Sequence, residues 1–71
     1  MPVPGIYQHY GNRRHYQLLG IARHSETGEP MAVYRALYGD FTLWTRPAGM
    51  FDETVDHEGR QMPRFSLIRA L

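Results

Sequence analysis

The chain has 71 residues, a length that allows one small domain and leaves little room for a deep catalytic cavity. Its formal net charge is +1, from eight arginines without lysine against seven acidic residues, so no strong field draws it to nucleic acid or anionic membranes. Cysteine is absent, which excludes disulfides, thiolate metal sites and cysteine nucleophiles.

The first third of the chain is rich in aromatic and apolar residues between glycines, a pattern typical of short strands. Gly5–Tyr10 is predicted to be the first strand, followed by a turn at Gly11–Asn12. His15–His24 is predicted to be a long second strand. Gly20 interrupts that strand, and a glycine inside a strand indicates a bulge or a sharp bend.

Two tight turns organise the middle of the chain. The segment Glu26–Glu29 is predicted to turn into a third strand, Met31–Tyr38. Gly39–Asp40 has the glycine-first composition of a two-residue type II′ hairpin turn. It leads into a fourth strand, Phe41–Arg46, which Pro47 ends.

The alternation of apolar and polar residues fails over Ala48–Asp56, which is predicted to be an irregular loop or a single helical turn. We expect Met50 and Phe51 in this segment to cap the core. Asp56–Arg60 is predicted to be a second polar turn, and Phe65–Ile68 the last strand.

This order of elements predicts an all-β domain spanning residues 1–71. Five short strands with tight hairpins and a short helical turn before the last strand favour a small, partly open SH3-like barrel. An OB-like barrel is the alternative, for which the chain is short.

Motifs along nearly the whole chain resemble those of a bacterial family known as domain of unknown function 1653. The residues that carry the resemblance are Tyr7, His9, Tyr10, Leu19–Glu26, Val33–Gly39, Leu43, Trp44, Arg46, Pro47, Met50, Phe51 and Pro63–Phe65. The resemblance does not extend to Leu67–Leu71. It implies a stand-alone bacterial domain with an SH3-like roll, and it implies no assigned activity, substrate or cofactor.

Strand pairing sorts the side chains onto two faces of the predicted sheet. A hairpin centred on Thr27–Gly28 places Gly20 opposite Arg35 and Ala22 opposite Val33; the turn at Gly39–Asp40 then places Arg35 opposite Trp44. The expected core face holds Leu19, Ile21, Ala32, Tyr34, Ala36, Tyr38, Phe41 and Leu43. The mixed face holds Gly20, Ala22, His24, Met31, Val33, Arg35, Leu37, Thr42, Trp44 and Arg46.

The mixed face contains the candidate binding site. Arg35 is predicted to stack on Trp44, with Arg46 and His24 beside the pair, an arrangement suited to an anion, a carboxylate-bearing peptide or a stacked base. The ordinary alternative is that the aliphatic stem of Arg35 merely covers a half-buried Trp44. The leading hypothesis is a small binding module for an unidentified protein or peptide partner; weak binding of single-stranded nucleic acid is the alternative.

A third hypothesis is an enzyme, or a subunit of one, that uses His24 and Glu26 as an acid–base pair. Ser25 lies next to His24, but neighbouring strand residues point to opposite faces, so the two are not predicted to act as nucleophile and base. A turn stabilised by a histidine–carboxylate contact is the more ordinary interpretation of His24 and Glu26. We therefore assign no catalytic residue.

No cofactor or metal site is predicted, because His9, His15, His24 and His57 lack the spacing of known zinc motifs. The N-terminus lacks the charged start and apolar run of a signal peptide, and no apolar stretch approaches the roughly 20 residues that cross a bilayer. We expect a cytoplasmic protein without membrane partners. Pairing between copies through an exposed edge strand stays open, so the sequence does not determine the oligomeric state.

Overall fold

The structure, a computed structural model, describes residues 1–71. Its elements in chain order are β1 (Gly5–His9), β2 (His15–Arg23), β3 (Pro30–Ala36), β4 (Leu43–Pro47), α1 (Ala48–Phe51), β5 (Thr54–His57), β6 (Arg60–Pro63) and β7 (Phe65–Ala70). The five predicted strands correspond to β1 to β4 and β7, and the predicted helical turn is α1. The hairpin of β5 and β6 was not predicted, because its polar sequence resembles that of a loop.

The strands form two antiparallel sheets. The larger has five strands in the order β4-β3-β2-β1-β7, and the smaller contains β5 and β6. The prediction of a mostly β chain is confirmed, and the two sheets do not close into a barrel. No helix has the length and apolar character needed to cross a membrane.

Aromatic rings dominate the core. Phe51 from α1 stacks on Phe65 of β7 with ring centroids 4.2 Å apart, and Tyr7 meets Phe51 edge to face. The buried cluster consists of Tyr7, Tyr16, Leu18, Ala32, Tyr34, Ala36, Phe51 and Phe65. Phe51 therefore caps the core as predicted, whereas Met50 is exposed because it lies on the outer side of the short helix.

A bulge in β2 decides which leucine is buried. Leu18 pairs with Tyr34 and Gly20 pairs with Val33, so Leu19 has no partner on β3. The irregularity predicted at Gly20 is confirmed. Because the extra residue reverses the alternation, Leu18 is fully buried and Leu19, which was predicted to be in the core, is exposed.

The hairpin between β2 and β3 is two residues out of the predicted register, since Gly20 pairs with Val33 and Ala22 pairs with Met31. Gly20 was predicted to lie opposite Arg35, and that prediction is wrong. The loop is longer than a two-residue turn, because the His24 N–H donates to the Glu29 carbonyl at 2.9 Å. Gly28, with φ 76°, takes the left-handed conformation that closes this loop, and its N–H donates to the His24 carbonyl.

The turn at Gly39–Asp40 forms, but it does not close the hairpin in the predicted way. The Phe41 N–H donates to the Tyr38 carbonyl at 3.0 Å across the turn. The first pair that joins the two strands is instead Ala36 with Thr42, whose N–H and carbonyl meet at 3.0 Å. The β3 side therefore contributes one more residue to the connection than the β4 side.

That extra residue is Leu37, and it reverses the faces of β4. Trp44 pairs with Tyr34 and Leu43 pairs with Arg35. The predicted pairing of Arg35 with Trp44 is wrong, and the two side chains lie on opposite faces of the sheet.

The predicted core face is right for part of its length only. Ala32, Tyr34 and Ala36 are buried, and Tyr38 packs against the core. Leu19, Ile21, Phe41 and Leu43 are exposed. The two register changes account for Leu19 and Leu43, and Phe41 lies in the loop with a left-handed φ of 55°.

Candidate functional site

The core-facing side of the larger sheet contains a small aromatic pocket of about 200 Å³. It lies beside the core and opens at the rim of β4. Seven residues line it: His9, Tyr16, Tyr34, Tyr38, Trp44, Arg46 and Phe65. The lining includes one arginine and no carboxylate, so we call it the Arg46 pocket.

Arg46 supplies the charge of the pocket. Its Nε donates to the Tyr34 hydroxyl at 3.0 Å, and its guanidinium lies 5.7 Å from the centre of the Phe65 ring. The ion pairs of the protein are formed by other residues, so Arg46 has no carboxylate partner. Its two terminal nitrogens make no hydrogen bond within the protein and can bind a planar anion in bidentate fashion.

Trp44 forms the rim of the Arg46 pocket. Its side chain comes from the same face of β4 as Arg46, because the two residues are separated by one position along the strand. The residue is 52% exposed, although it pairs across the sheet with buried Tyr34. The exposed indole and the guanidinium, which has no carboxylate partner, therefore lie on the same face of β4.

Two tyrosine hydroxyls form the polar side of the pocket. The hydroxyl oxygens of Tyr16 and Tyr38 are 2.6 Å apart, and the Asn12 amide donates to Tyr16 at 2.9 Å. The hydrogen bond to Tyr16, followed by burial, raises the pKa of Tyr38. Arg14 covers the Tyr38 ring at 4.6 Å. Tyr38 therefore keeps its proton at physiological pH and adds no negative charge to the pocket.

His9 is a neutral wall of the pocket. Burial, together with the nearby charges of Arg46 and Arg64, lowers the pKa of His9 below its ordinary value. Its Nδ1 accepts the Gly11 N–H at 3.0 Å, so the proton of the neutral ring is on Nε2. Arg46 is consequently the one full charge among the lining residues.

The structure brings together two of the predicted site residues and separates them from a third. Trp44 and Arg46 both line the Arg46 pocket. Arg35 lies on the other face, where its Nη1 donates to the Phe41 carbonyl at 2.8 Å. Arg35 thus holds the loop between β3 and β4 and does not contact the ring on which it was predicted to stack.

His24 and Glu26 lie in the loop between β2 and β3, outside the pocket. The Nδ1 of His24 accepts the backbone N–H groups of Glu26 and Thr27 at 3.2 and 3.3 Å. Glu26 forms no ion pair with the imidazole. The ring therefore caps the loop through the backbone of Glu26, whereas an acid–base pair would need its carboxylate.

The aromatic part of the site was not predicted from the sequence. His9, Tyr16 and Phe65 come from three strands that are distant in sequence, so no local motif joins them. One signal was present in the sequence. Tyr34 and Tyr38 lie on the same face of the predicted third strand, and buried tyrosines need partners for their hydroxyls. That signal predicts a polar cavity next to the core.

A second hollow, of about 330 Å³, lies between the first turn and the hairpin of β5 and β6. Most of its lining is polar, with Arg13, His57, Glu58 and Arg60 around it. Neither in this hollow nor elsewhere do histidine and acidic side chains form a group of three or more that could hold a metal ion. The Arg46 pocket is therefore the better candidate for a binding site.

Comparison with known proteins gives a family and no activity. No curated protein matches the chain. A crystal structure of a DUF1653 protein from Bordetella bronchiseptica is similar to this chain, with 38% sequence identity and a TM-score of 0.85. The match covers 96% of this chain and 88% of that one. The family model matches residues 5–67, and the chain therefore belongs to the family described as Protein of unknown function (DUF1653).

Proposed function

We propose that the protein is a small non-catalytic binding module whose ligand places a carboxylate on Arg46 beside the ring of Trp44. The observation that carries the proposal is a guanidinium without a carboxylate partner inside an aromatic pocket. Low-polarity walls strengthen the attraction between a guanidinium and a carboxylate, and the planar fork of arginine matches both oxygens.

The size and charge of the pocket limit the group that it can bind. Its volume of about 200 Å³ is below the roughly 300 to 1,000 Å³ of typical small-molecule sites. A single planar ring or one amino-acid side chain fills such a space. The positive charge of Arg46 disfavours a cationic ligand, although aromatic walls alone would attract one.

The test uses benzoate, which joins a carboxylate to one ring, and benzamide as its uncharged counterpart. Trp44 is the single tryptophan of the chain, so its fluorescence reports on the pocket without interference. We expect benzoate to change that fluorescence and to shift the NMR signal of the Arg46 Nε–H, saturating on the order of millimolar concentration for so small a ligand. Benzamide should produce neither effect.

Two arginines on neighbouring strands provide a matched control. Arg46→Gln removes the charge from the pocket, whereas Arg35→Gln makes the same change on the opposite face. We expect the first variant to lose benzoate binding at least tenfold and the second to bind like the unmodified protein. Equal binding by Arg46→Gln and the unmodified protein would overturn the proposal.

Single-stranded nucleic acid is the competing ligand, supported by the exposed Trp44 ring beside Arg46. An oligonucleotide of ten thymidines tests it. Retention at low salt that weakens as salt rises, and that disappears in Trp44→Ala, would favour nucleic acid over a carboxylate ligand. The net charge of +1 argues against such retention.

For the fold type we propose the SH3-like roll, supported by a five-stranded sheet whose first and last strands are neighbours and by the helical turn before the last three strands. We also propose a cytoplasmic location, which fits a chain without cysteine. Fractionation of cells that produce the tagged protein tests the location.

A further inference from the structure

β4 is an edge strand with unused hydrogen-bonding groups. It pairs with β3 on one side and with no strand on the other. The bonded pair of Ala36 and Thr42 sets the alternation along the strand, so the N–H and carbonyl groups of Trp44 and Arg46 face β3. Those of Leu43 and Thr45 face away from it. The free edge therefore offers two donors and two acceptors before it ends at Pro47.

The Arg46 pocket lies directly beside this free edge. A strand added to β4 would place one of its residues opposite Trp44, and directly opposed residues share a face of the sheet. The side chain of that residue would point to the core-facing side of the sheet, where Trp44 and Arg46 line the pocket. The two neighbouring residues of the added strand would face the outer side, next to exposed Leu43.

The charge of the pocket selects the side chain that enters it. Arg46 has no carboxylate partner, Arg14 lies over the Tyr38 ring, and no acidic residue lines the pocket. A glutamate side chain brings a carboxylate on a short apolar stem, which suits a guanidinium behind an aromatic rim. Apolar neighbours of that glutamate would suit Leu43 on the outer face.

We propose, on the basis of the function proposed above, that the ligand is an extended peptide that adds a strand to the free edge of β4 and inserts a glutamate side chain into the Arg46 pocket. Backbone hydrogen bonds to Leu43 and Thr45 hold the peptide, and the ion pair with Arg46 selects its sequence. The partner is thus a protein segment with a glutamate between two apolar residues.

The probe is the peptide acetyl-Thr-Val-Glu-Val-Thr-amide, with binding followed by Trp44 fluorescence. Its glutamine counterpart tests the charge, and a version with N-methyl groups on the valines tests the backbone pairing. We expect each change to weaken binding about tenfold or more, the effect of losing one charge-assisted contact or the ladder hydrogen bonds. Equal binding of the N-methylated peptide would overturn strand addition.

Two variants of the protein test the same backbone pairing between β4 and the peptide. Thr45→Pro removes an edge N–H that does not pair with β3, and it also loses the bond from the Thr45 hydroxyl to the Ala32 carbonyl. Thr45→Val loses only that hydroxyl bond. We expect peptide binding to fall about tenfold in the proline variant relative to the valine variant. If the proline variant does not fold, the N-methylated peptide decides.

The outcomes separate this inference from the proposed function. If benzoate binds through Arg46 but the glutamate and N-methylated peptides bind equally well, the pocket is a carboxylate site and strand addition is wrong. If Arg46→Gln binds both benzoate and the glutamate peptide normally, the proposed function fails. If light scattering shows a dimer that Thr45→Pro dissociates, the edge pairs with a second copy and the inference is overturned.

Discussion

Two histidines stabilise turns by the same chemistry. The Nδ1 atoms of His9 and His24 each accept the backbone N–H two residues further along the chain, at 3.0 and 3.2 Å respectively. Each also accepts a longer bond from the next N–H. An imidazole can accept at Nδ1 only while that nitrogen carries no proton, so these turns depend on neutral rings.

The pH dependence of stability should reveal His9. Because the pKa of His9 is lowered in the folded protein, the unfolded chain takes up a proton first as the pH falls below about 6.5. The free energy of unfolding should therefore decrease from that pH downward, until the folded His9 is also protonated. Urea denaturation between pH 8 and pH 5 measures it, and His9→Gln should fall less steeply than the unmodified protein. His15→Gln, on the exposed outer face, is the control; an unchanged slope in His9→Gln would contradict the assignment.

Gly5 is required by the close approach of β1 to β7. A Cβ atom added to Gly5 would lie 2.5 Å from the Arg69 carbonyl oxygen, and backbone cannot move aside as a side chain can. We expect Gly5→Ala to lower the free energy of unfolding by about 1 to 3 kcal/mol, the usual cost of overpacking. Gly49→Ala is the control, since a Cβ there meets nothing within 4 Å. Equal stability of the two variants in urea denaturation would contradict this contact.

At the scale of elements, single extra residues determine which face each strand presents. Leu19 is the extra residue of β2, and Leu37 is the extra residue between β3 and β4. Each reverses the alternation of side chains beyond it. The second reversal moves Trp44 and Arg46 onto the core-facing side of the sheet. The Arg46 pocket therefore exists because one extra residue lies between β3 and β4.

Adjacent leucines test the bulge in β2. Leu18→Ala should lower the free energy of unfolding by about 2 to 5 kcal/mol, because it leaves a cavity at a fully buried position. Leu19→Ala should cost less than about 1 kcal/mol, because that residue is 44% exposed. Urea denaturation of both variants gives the comparison. If Leu19→Ala lowered the free energy of unfolding more than Leu18→Ala, the bulge in β2 would be contradicted.

The same extra residues explain how far sequence reasoning reached. The positions of the five main strands, the irregularity at Gly20 and the turn at Gly39–Asp40 were predictable, because glycine placement and residue type mark them locally. The pairing partners were not, since a bulge reverses alternation without changing composition. Of the site, Trp44 and Arg46 were predicted, whereas the contribution of His9 depends on contacts between distant strands.

At the scale of the whole molecule, Arg64 joins the two sheets. Its side chain donates from Nε and Nη2 to Oε1 of Glu53, just before β5. Its backbone N–H donates to the Glu53 carbonyl at 2.9 Å, and its own carbonyl accepts the Tyr10 N–H at 3.0 Å. The ring of Tyr10 also lies 5.3 Å from the ring of His57 in β5. These bonds of Arg64 and this ring contact hold the hairpin of β5 and β6 against the rest of the protein.

Removing the Arg64 side chain should loosen the smaller sheet and leave the larger one intact. We expect Arg64→Ala to lower the free energy of unfolding by about 1 to 2 kcal/mol, since the ion pair with Glu53 is only partly exposed. Hydrogen exchange should accelerate over Thr54–Pro63 while the amides of β2 and β3 keep their protection, because a two-stranded hairpin is marginal without support. Arg60→Ala, an exposed arginine within the hairpin, is the control. If exchange rises equally across both sheets, the hairpin is not a separate unit and the Arg46 pocket shares its stability.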